Sequence, residues 1–464
     1  MDEQPDEQTD VADVIVIGAG PAGENVAGRV VRGGLTCAVV ETHLAGGECS
    51  YYACIPSKAL LRPMELAAEV GRVPGLRPAG PADVEAVLKR RDEAVSDYDD
   101  HGQVGWIEDL PARFVRGRGR LAGPRLVEVT GPGGGRTRLR ARHAVVLATG
   151  SVPVVPPIPG LAEARPWGSR DATEVRRVPE RLAVLGGGVV ACEMAQALHF
   201  LGARETTMLV RGSGLLPRME PFAGEMLAGS MRERGIDVRL GTQVAEVRRD
   251  GAVTLRLDDG STLEADELLV ATGRRPATDD LGLEENRLEV DDSLLVRGSD
   301  WLYAVGDVNG RNLLTHMGKY QARICGDAIV ARARGESPKA LATADGRGAP
   351  QVVFTDPQVC AVGLTEEAAR AKGFTVRAVE YDLGRVSGAY LLGEGYAGRA
   401  KAVVDERRRV LLGVTFAGPG VAELLHAATV AVTAETSLDT LWHAVPAFPS
   451  VSEIWLRLLE EYGL

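Results

Sequence analysis

Cys49 and Cys54, in the stretch Gly46-Gly-Glu-Cys49-Ser-Tyr-Tyr-Ala-Cys54-Ile-Pro56-Ser-Lys58, are the residues best suited to redox chemistry. Two neighbouring thiols can exchange two electrons by making or breaking one sulfur–sulfur bond. On a regular helix, residues five apart point about 140° away from one another and their α-carbons lie too far apart to bridge. A disulfide here therefore requires a distorted first turn. Pro56 suits such a start, because a missing N–H costs nothing in the first turn of a helix. The helix dipole is expected to lower the pKa of a thiol placed there.

The elements upstream would position a dinucleotide against these thiols. Val11-Ala-Asp-Val-Ile-Val-Ile reads as a buried strand, and it runs into Gly18-Ala-Gly20-Pro-Ala-Gly23 and then a helix-like stretch. In that context the glycines have separate tasks. Gly18 lets the strand turn, Gly20 admits a pyrophosphate, and Gly23 lets helix and strand pack closely. The helix N-terminus faces the phosphates with its partial positive charge. Thr36-Cys-Ala-Val-Val-Glu41 is the next strand, and Glu41 is placed to accept from ribose hydroxyls.

The pattern recurs at Arg181-Leu-Ala-Val-Leu-Gly186-Gly-Gly188-Val-Val-Ala191, with Ala191 in place of the third glycine. The strand that follows, Thr206–Val210, ends in Arg211 where the first unit has Glu41. An arginine there can pair with a 2′-phosphate, which favours NADPH while leaving NADH open, and Arg218 could add a second contact. Ordinary surface arginine is the competing explanation in a chain with 47 Arg and 6 Lys. Two further strands end in small-residue turns, at Thr149-Gly150 and at Thr272-Gly273, as expected where a chain crosses between nucleotide domains. A fourth, Leu302-Tyr-Ala-Val-Gly306-Asp307, delivers a carboxylate to a strand end, either for a ligand or as a helix cap.

Nearly the whole chain resembles the class I pyridine nucleotide–disulfide oxidoreductases, the family of dihydrolipoamide dehydrogenase, glutathione reductase and mercuric reductase. The resemblance implies an α/β fold with two Rossmann-like dinucleotide-binding domains and a C-terminal α+β dimerisation domain beginning near Phe354-Thr-Asp-Pro357. It implies FAD held by the first glycine motif, Glu41 and Asp307, the last on the ribityl chain. It makes Cys49–Cys54 the redox disulfide, with Cys54 facing the flavin and Cys49 exchanging with substrate. Lys58 and Glu193 match the family's ion pair beside the flavin.

Several positions depart from the family pattern. Its disulfide reductases carry a His-Pro pair with a Glu five positions after the His, which acts on the partner subunit's cysteines. Here the run is Phe448-Pro449-Ser-Val-Ser-Glu453, so proline and Glu453 are in place and the acid–base histidine is phenylalanine. Thiol–disulfide exchange needs a proton carrier, and its loss costs roughly 10²- to 10⁴-fold in that half-reaction. His443 could substitute only if the loop were rebuilt. Glu48 stands where Thr is common, near the expected pyrophosphate, and needs a partner or must point away. Val189 replaces a bulkier residue on the nicotinamide side. The last residues, Leu-Leu-Glu-Glu-Tyr-Gly-Leu464, hold no thiol pair for relaying soft metal, which disfavours mercuric reductase activity.

Composition sets the outer limits. At 464 residues, 45% hydrophobic and 25% charged, the chain is a globular protein of about three domains. A formal charge of −11 argues against broad nucleic-acid binding. The acidic first ten residues read as a loose tail rather than an address, and no apolar run is long enough to span a bilayer. Six scattered cysteines suit a cytoplasmic protein rather than a disulfide scaffold, and no metal site is expected. The expected organisation is a first FAD segment at 1–150, an NAD(P)H domain at 151–275, a second FAD segment at 276–345 and an interface domain at 346–464. Helical periodicity is expected across 83–98 and 421–434.

The leading expectation is an enzyme, a homodimer passing hydride from NADPH to FAD. From there electrons go to Cys49–Cys54 or to a small acceptor such as a quinone, a metal ion or a low-molecular-weight disulfide. A disulfide reductase with a substitute proton carrier is the second reading. A non-enzymatic flavin redox sensor is the third, and it leaves the second nucleotide domain without a purpose.

Overall fold

The computed structural model describes residues 9–77, 80–283 and 288–464, so the first eight residues of the acidic N-terminal stretch lie outside the described residues. The chain divides into two compact units. One comprises Met1–Ile55, Asp92–Val152 and Arg274–Asp345; the other comprises Pro56–Arg91, Pro153–Gly273 and Gly346–Leu464.

The first unit is built on a seven-stranded sheet. Its parallel part runs Ala112–Arg116, Cys37–Glu41, Thr9–Ile17, Arg136–Leu147, Leu302–Ala304. Val14, Ile15, Val16 and Val145 have no exposed surface, as a strand covered on both faces requires. The 12-residue strand Arg136–Leu147 pairs with Thr9–Ile17 along one edge and with two partners in succession along the other. Residues 136–140 pair antiparallel with Leu126–Thr130, and residues 145–147 pair parallel with Leu302–Ala304. Helices Pro21–Arg32 and Thr315–Ala333 belong to this unit. They approach so closely that a methyl on Gly326 would lie 2.7 Å from the Arg29 β-carbon.

The second unit holds a four-stranded parallel sheet in the order Asp237–Leu240, Glu205–Val210, Arg181–Leu185, Glu267–Val270. It also holds a three-stranded antiparallel sheet over residues 244–265. A five-stranded antiparallel sheet over residues 351–418 carries the C-terminal part, with helices Leu425–Thr433 and Ile454–Tyr462. The fold is thus mixed α/β, with Rossmann-like nucleotide-binding sheets and a C-terminal antiparallel-sheet domain. The periodicity across 83–98 resolves into helix Val84–Ala94 and a 3₁₀ turn, Ser96–Tyr98. That across 421–434 becomes a 3₁₀ turn followed by helix Leu425–Thr433. Among the described residues, no helix is long and apolar enough to cross a membrane.

Candidate functional site

Cys49 and Cys54 lie on two successive helices rather than on one distorted turn. Gly47–Tyr51 forms the first, Tyr52 breaks it with φ −132°, and Cys54–Arg72 is the second. The break brings both thiols into one hydrogen-bonded group with Thr315: Cys54 Sγ lies 3.3 Å from Thr315 Oγ1, and the Cys49 thiol bonds Cys54 and Thr315. Both cysteines are free thiols here. The hydrogen bond to Cys54, and then burial, push the Cys49 thiol well above its ordinary pKa, while Thr315 and the Lys319 ammonium pull it down.

The first glycine loop fits a dinucleotide. Gly18 has φ +106°, and a methyl there would meet the Ala148 carbonyl oxygen at 2.4 Å. A methyl on Gly23 would strike the Gly18 oxygen at 1.8 Å. Next to Gly20 there is room, with only the Gly47 α-carbon at 3.9 Å. Gly46 N donates to the Ala19 carbonyl at 2.7 Å, which ties the turn before Cys49 to this loop. Glu41 is anchored at the strand end by the Ala19 and His43 N–H groups, each at 2.8 Å. Gly150 (φ +75°) and Gly306 (φ +74°) turn the chain at the ends of their strands, and the Thr149 hydroxyl donates to the Ala277 carbonyl at 2.8 Å.

Asp307 is not a helix cap. Its carboxylate accepts from the Ser151 hydroxyl at 2.6 Å, and burial raises its pKa above the ordinary carboxylate value. Ser151 in turn accepts from Arg274 Nε at 2.7 Å, and the same guanidinium donates to Glu48. Glu48 therefore has the partner that its position demanded. With Gly18 and Gly23 admitting no side chain, room beside Gly20, an anchored Glu41 and a half-buried Asp307, these residues fit FAD.

In the second unit, Gly186 has φ +133°, and a methyl there would meet the Ala271 oxygen at 2.4 Å. Gly188 faces open space, Ala191 is fully buried, and Gly273 turns with φ +130°. Arg211 and Arg218 are both exposed and form no ion pair among the described residues, so they are open to an anion. Lys58 Nζ lies 2.8 Å from Glu193 Oε2. Glu193 is 3% exposed and its other oxygen accepts from the Phe354 N–H at 3.0 Å. Lys58 also sits 4.8 Å from the centre of the Phe354 ring.

The C-terminal loop turns Phe448 out to 74% exposure. Glu453 is 5% exposed; Oε1 accepts from Arg457, whereas Oε2 is sealed from water and has no hydrogen-bond partner among the described residues. His443 is exposed.

Sequence reasoning did not single out Ser151, Arg274 and Thr315. Arg274 was legible within Gly273-Arg-Arg-Pro as a charge at a strand end. Thr315 carries no local signal, because only the fold brings it to Cys54.

The family model described as pyridine nucleotide-disulphide oxidoreductase matches residues 12–335, and the model for that family's dimerisation domain matches residues 349–458. The dihydrolipoyl dehydrogenase 3 of Pseudomonas aeruginosa is 33% identical over 462 residues, covering 95% of this chain and 96% of that protein. A mercuric reductase of Streptomyces lividans is 33% identical over 450 residues, covering 93% and 92%. Among solved structures, the Cu(II) complex of the HOCl-induced flavoprotein disulfide reductase RclA from Escherichia coli matches with a TM-score of 0.84. It shares 25% identity, with 97% of this chain and 99% of that one covered. The chain is an enzyme of the pyridine nucleotide-disulphide oxidoreductase family, flavoproteins that use FAD and a nicotinamide nucleotide, and it carries the family's dimerisation domain.

Proposed function

We propose that this enzyme is an NADPH-dependent reductase of a small electron acceptor, a metal ion, a quinone or an unusual low-molecular-weight disulfide other than lipoamide or glutathione disulfide, and that it acts as a homodimer. Residues 151–275 take the nicotinamide nucleotide, and residues 346–464 pair with a second copy. Arg211 and Arg218 support NADPH, since two exposed guanidinium groups without carboxylate partners among the described residues suit a 2′-phosphate.

When bound, FAD supplies a two-electron relay between the nicotinamide and the thiols. Glu41 and Asp307 orient it, and Lys58 brings a positive charge whose burial Glu193 offsets. Reduction turns the Cys49–Cys54 disulfide into two thiols, taking up two electrons and two protons. Cys49 keeps its proton through the bond to Cys54, and Thr315 steadies the pair.

The observation that carries the choice of acceptor is Phe448. A phenyl ring cannot take a proton from an attacking thiol or return one to a leaving sulfur, so bulky disulfides lose their acid–base partner. A metal ion or quinone needs no such carrier on sulfur. The Cu(II) complex of the structurally similar RclA supports a metal acceptor. Steady-state turnover with NADPH against Cu(II), a soluble quinone, lipoamide and glutathione disulfide tests this reading. Copper or quinone reduction well above both disulfides is expected, and rapid lipoamide turnover by the unmodified enzyme would refute it.

A further inference from the structure

A cavity of about 500 Å³ opens in the first unit between helices Pro21–Arg32 and His101–Glu108, with Arg323 of helix Thr315–Ala333 on its wall. Gly18, Gly20, Gly23, Glu41, Asp307 and both redox cysteines are absent from its lining, so it is separate from the cradle described above. Its walls are chemically graded along the first helix. Glu24 stands at one end and Arg32 two turns on, about 12 Å away at 1.5 Å per residue.

At the first end, Glu24 Oε1 is sealed from solvent and has no hydrogen-bond partner among the described residues. Burial pushes this carboxyl up to about 7, against the pull of Lys319 and with the Glu41 charge adding to the rise. A buried oxygen without a partner costs on the order of 1–3 kcal/mol, so a ligand donor here is worth more than at an ordinary surface site. The amides of Asn25 and Gln103 share this end. In the middle, Trp106 is 43% exposed, and Gly28 lets its ring reach the helix: a methyl at Gly28 would sit 3.4 Å from the indole. Arg32 stands at the far end and Arg323 on the wall, its guanidinium 5.9 Å from the centre of the Tyr320 ring; neither makes an ion pair among the described residues, whereas Arg29 is held by Asp327 at 2.5 and 2.7 Å.

A hydrogen-bond acceptor with two amides, a flat aromatic face and two guanidinium groups without carboxylate partners among the described residues are the groups that recognise a nucleoside phosphate. Stacking on an aromatic ring holds a base, and arginine holds a phosphate. We propose that this cavity is a second nucleotide site, taking a purine nucleoside monophosphate. Its exocyclic amine donates to Glu24, its base stacks on Trp106, and its phosphate lies between Arg32 and Arg323.

Calorimetric titration of AMP into the FAD-loaded enzyme tests this. Saturable binding of one AMP per chain is expected, weakened at least tenfold by Arg32→Glu with Arg323→Glu. It should also weaken with Trp106→Ala, persist with Trp106→Phe and persist with Arg211→Ala/Arg218→Ala. Flavin reduction by NADPH should be unchanged in the Arg32/Arg323 variant, which shows that the variant is folded and loaded. Three results would overturn the proposal: no saturable AMP binding, binding indifferent to Arg32 and Arg323 but lost with Arg211 and Arg218, or ribose 5-phosphate binding as tightly as AMP.

Discussion

Arg274 joins Glu48 to the Ser151–Asp307 pair, so one guanidinium serves two carboxylates within the unit that carries both redox cysteines. Glu48 immediately precedes Cys49, and Arg274 answers its charge. Arg274→Met should leave two partly buried carboxylates facing each other and the cofactor's pyrophosphate, weakening FAD binding by about tenfold or more. Glu48→Thr in the same chain should restore part of that affinity. FAD release followed by its fluorescence on heating measures both. Equal FAD retention in Arg274→Met and the unmodified enzyme would show that the guanidinium has no such part.

The cysteines should be separable by spectroscopy. Anaerobic NADPH should produce a long-wavelength thiolate-to-flavin absorbance in the unmodified enzyme and in Cys49→Ser, and none in Cys54→Ser. Thr315→Val removes the hydroxyl 3.3 Å from Cys54 Sγ and should diminish the band without abolishing flavin reduction. A band in Cys54→Ser equal to that of the unmodified enzyme would reverse the order of the two sulfurs.

Glu453 keeps an oxygen sealed from water with no donor among the described residues, next in the chain to a loop whose histidine position is occupied by exposed Phe448. Phe448→His should supply that donor and a proton carrier together. Lipoamide or glutathione disulfide turnover should rise about 10- to 100-fold, less than the full 10²- to 10⁴-fold worth of a positioned acid–base group because Arg457 holds the other oxygen. Adding Arg457→Gln should increase the gain. No rise in either variant would mean that the missing histidine is not what limits disulfide reduction.

Glu24 makes stability depend on pH. Its folded-state pKa is raised, from 4.5 to about 7, so the unfolded chain releases this proton first as pH rises. Stability therefore falls from pH 4.5 upward, and the full loss is reached above pH 7. Glu24→Gln removes the penalty and should stabilise the protein by about 1–3 kcal/mol at pH 8, with little effect near pH 4.5. Denaturant unfolding at both pH values checks the sign; a variant less stable at pH 8 would contradict it.

Lys58→Met would leave Glu193 buried with one oxygen unanswered. Because Lys58 itself is partly exposed, the expected destabilisation is about 1–3 kcal/mol rather than the larger cost of breaking a fully buried pair. The rate of flavin reduction by NADPH should fall as well. Lys58→Arg should recover stability more than rate, which distinguishes a charge from a correctly placed one.

Local signals in the chain were enough for the fold class, both glycine fingerprints, the carboxylates at strand ends and the cysteine pair. Each of these is written within a dozen or so residues, because a tight turn next to a buried strand admits glycine and little else. Phe448 was visible as an exception for the same reason, since it stands inside a short motif. Partners distant in sequence were decided by folding alone. Thr315 reaches Cys54 across 261 residues, Arg274 reaches Glu48 across 226, and Glu193 takes its second bond from the Phe354 backbone. No periodicity encodes such contacts, because they depend on how separately formed strands and helices stack. The raised pKa of Cys49 belongs to that second class, because its largest cause is the hydrogen bond to Cys54 and only the break between two helices brings the two thiols together.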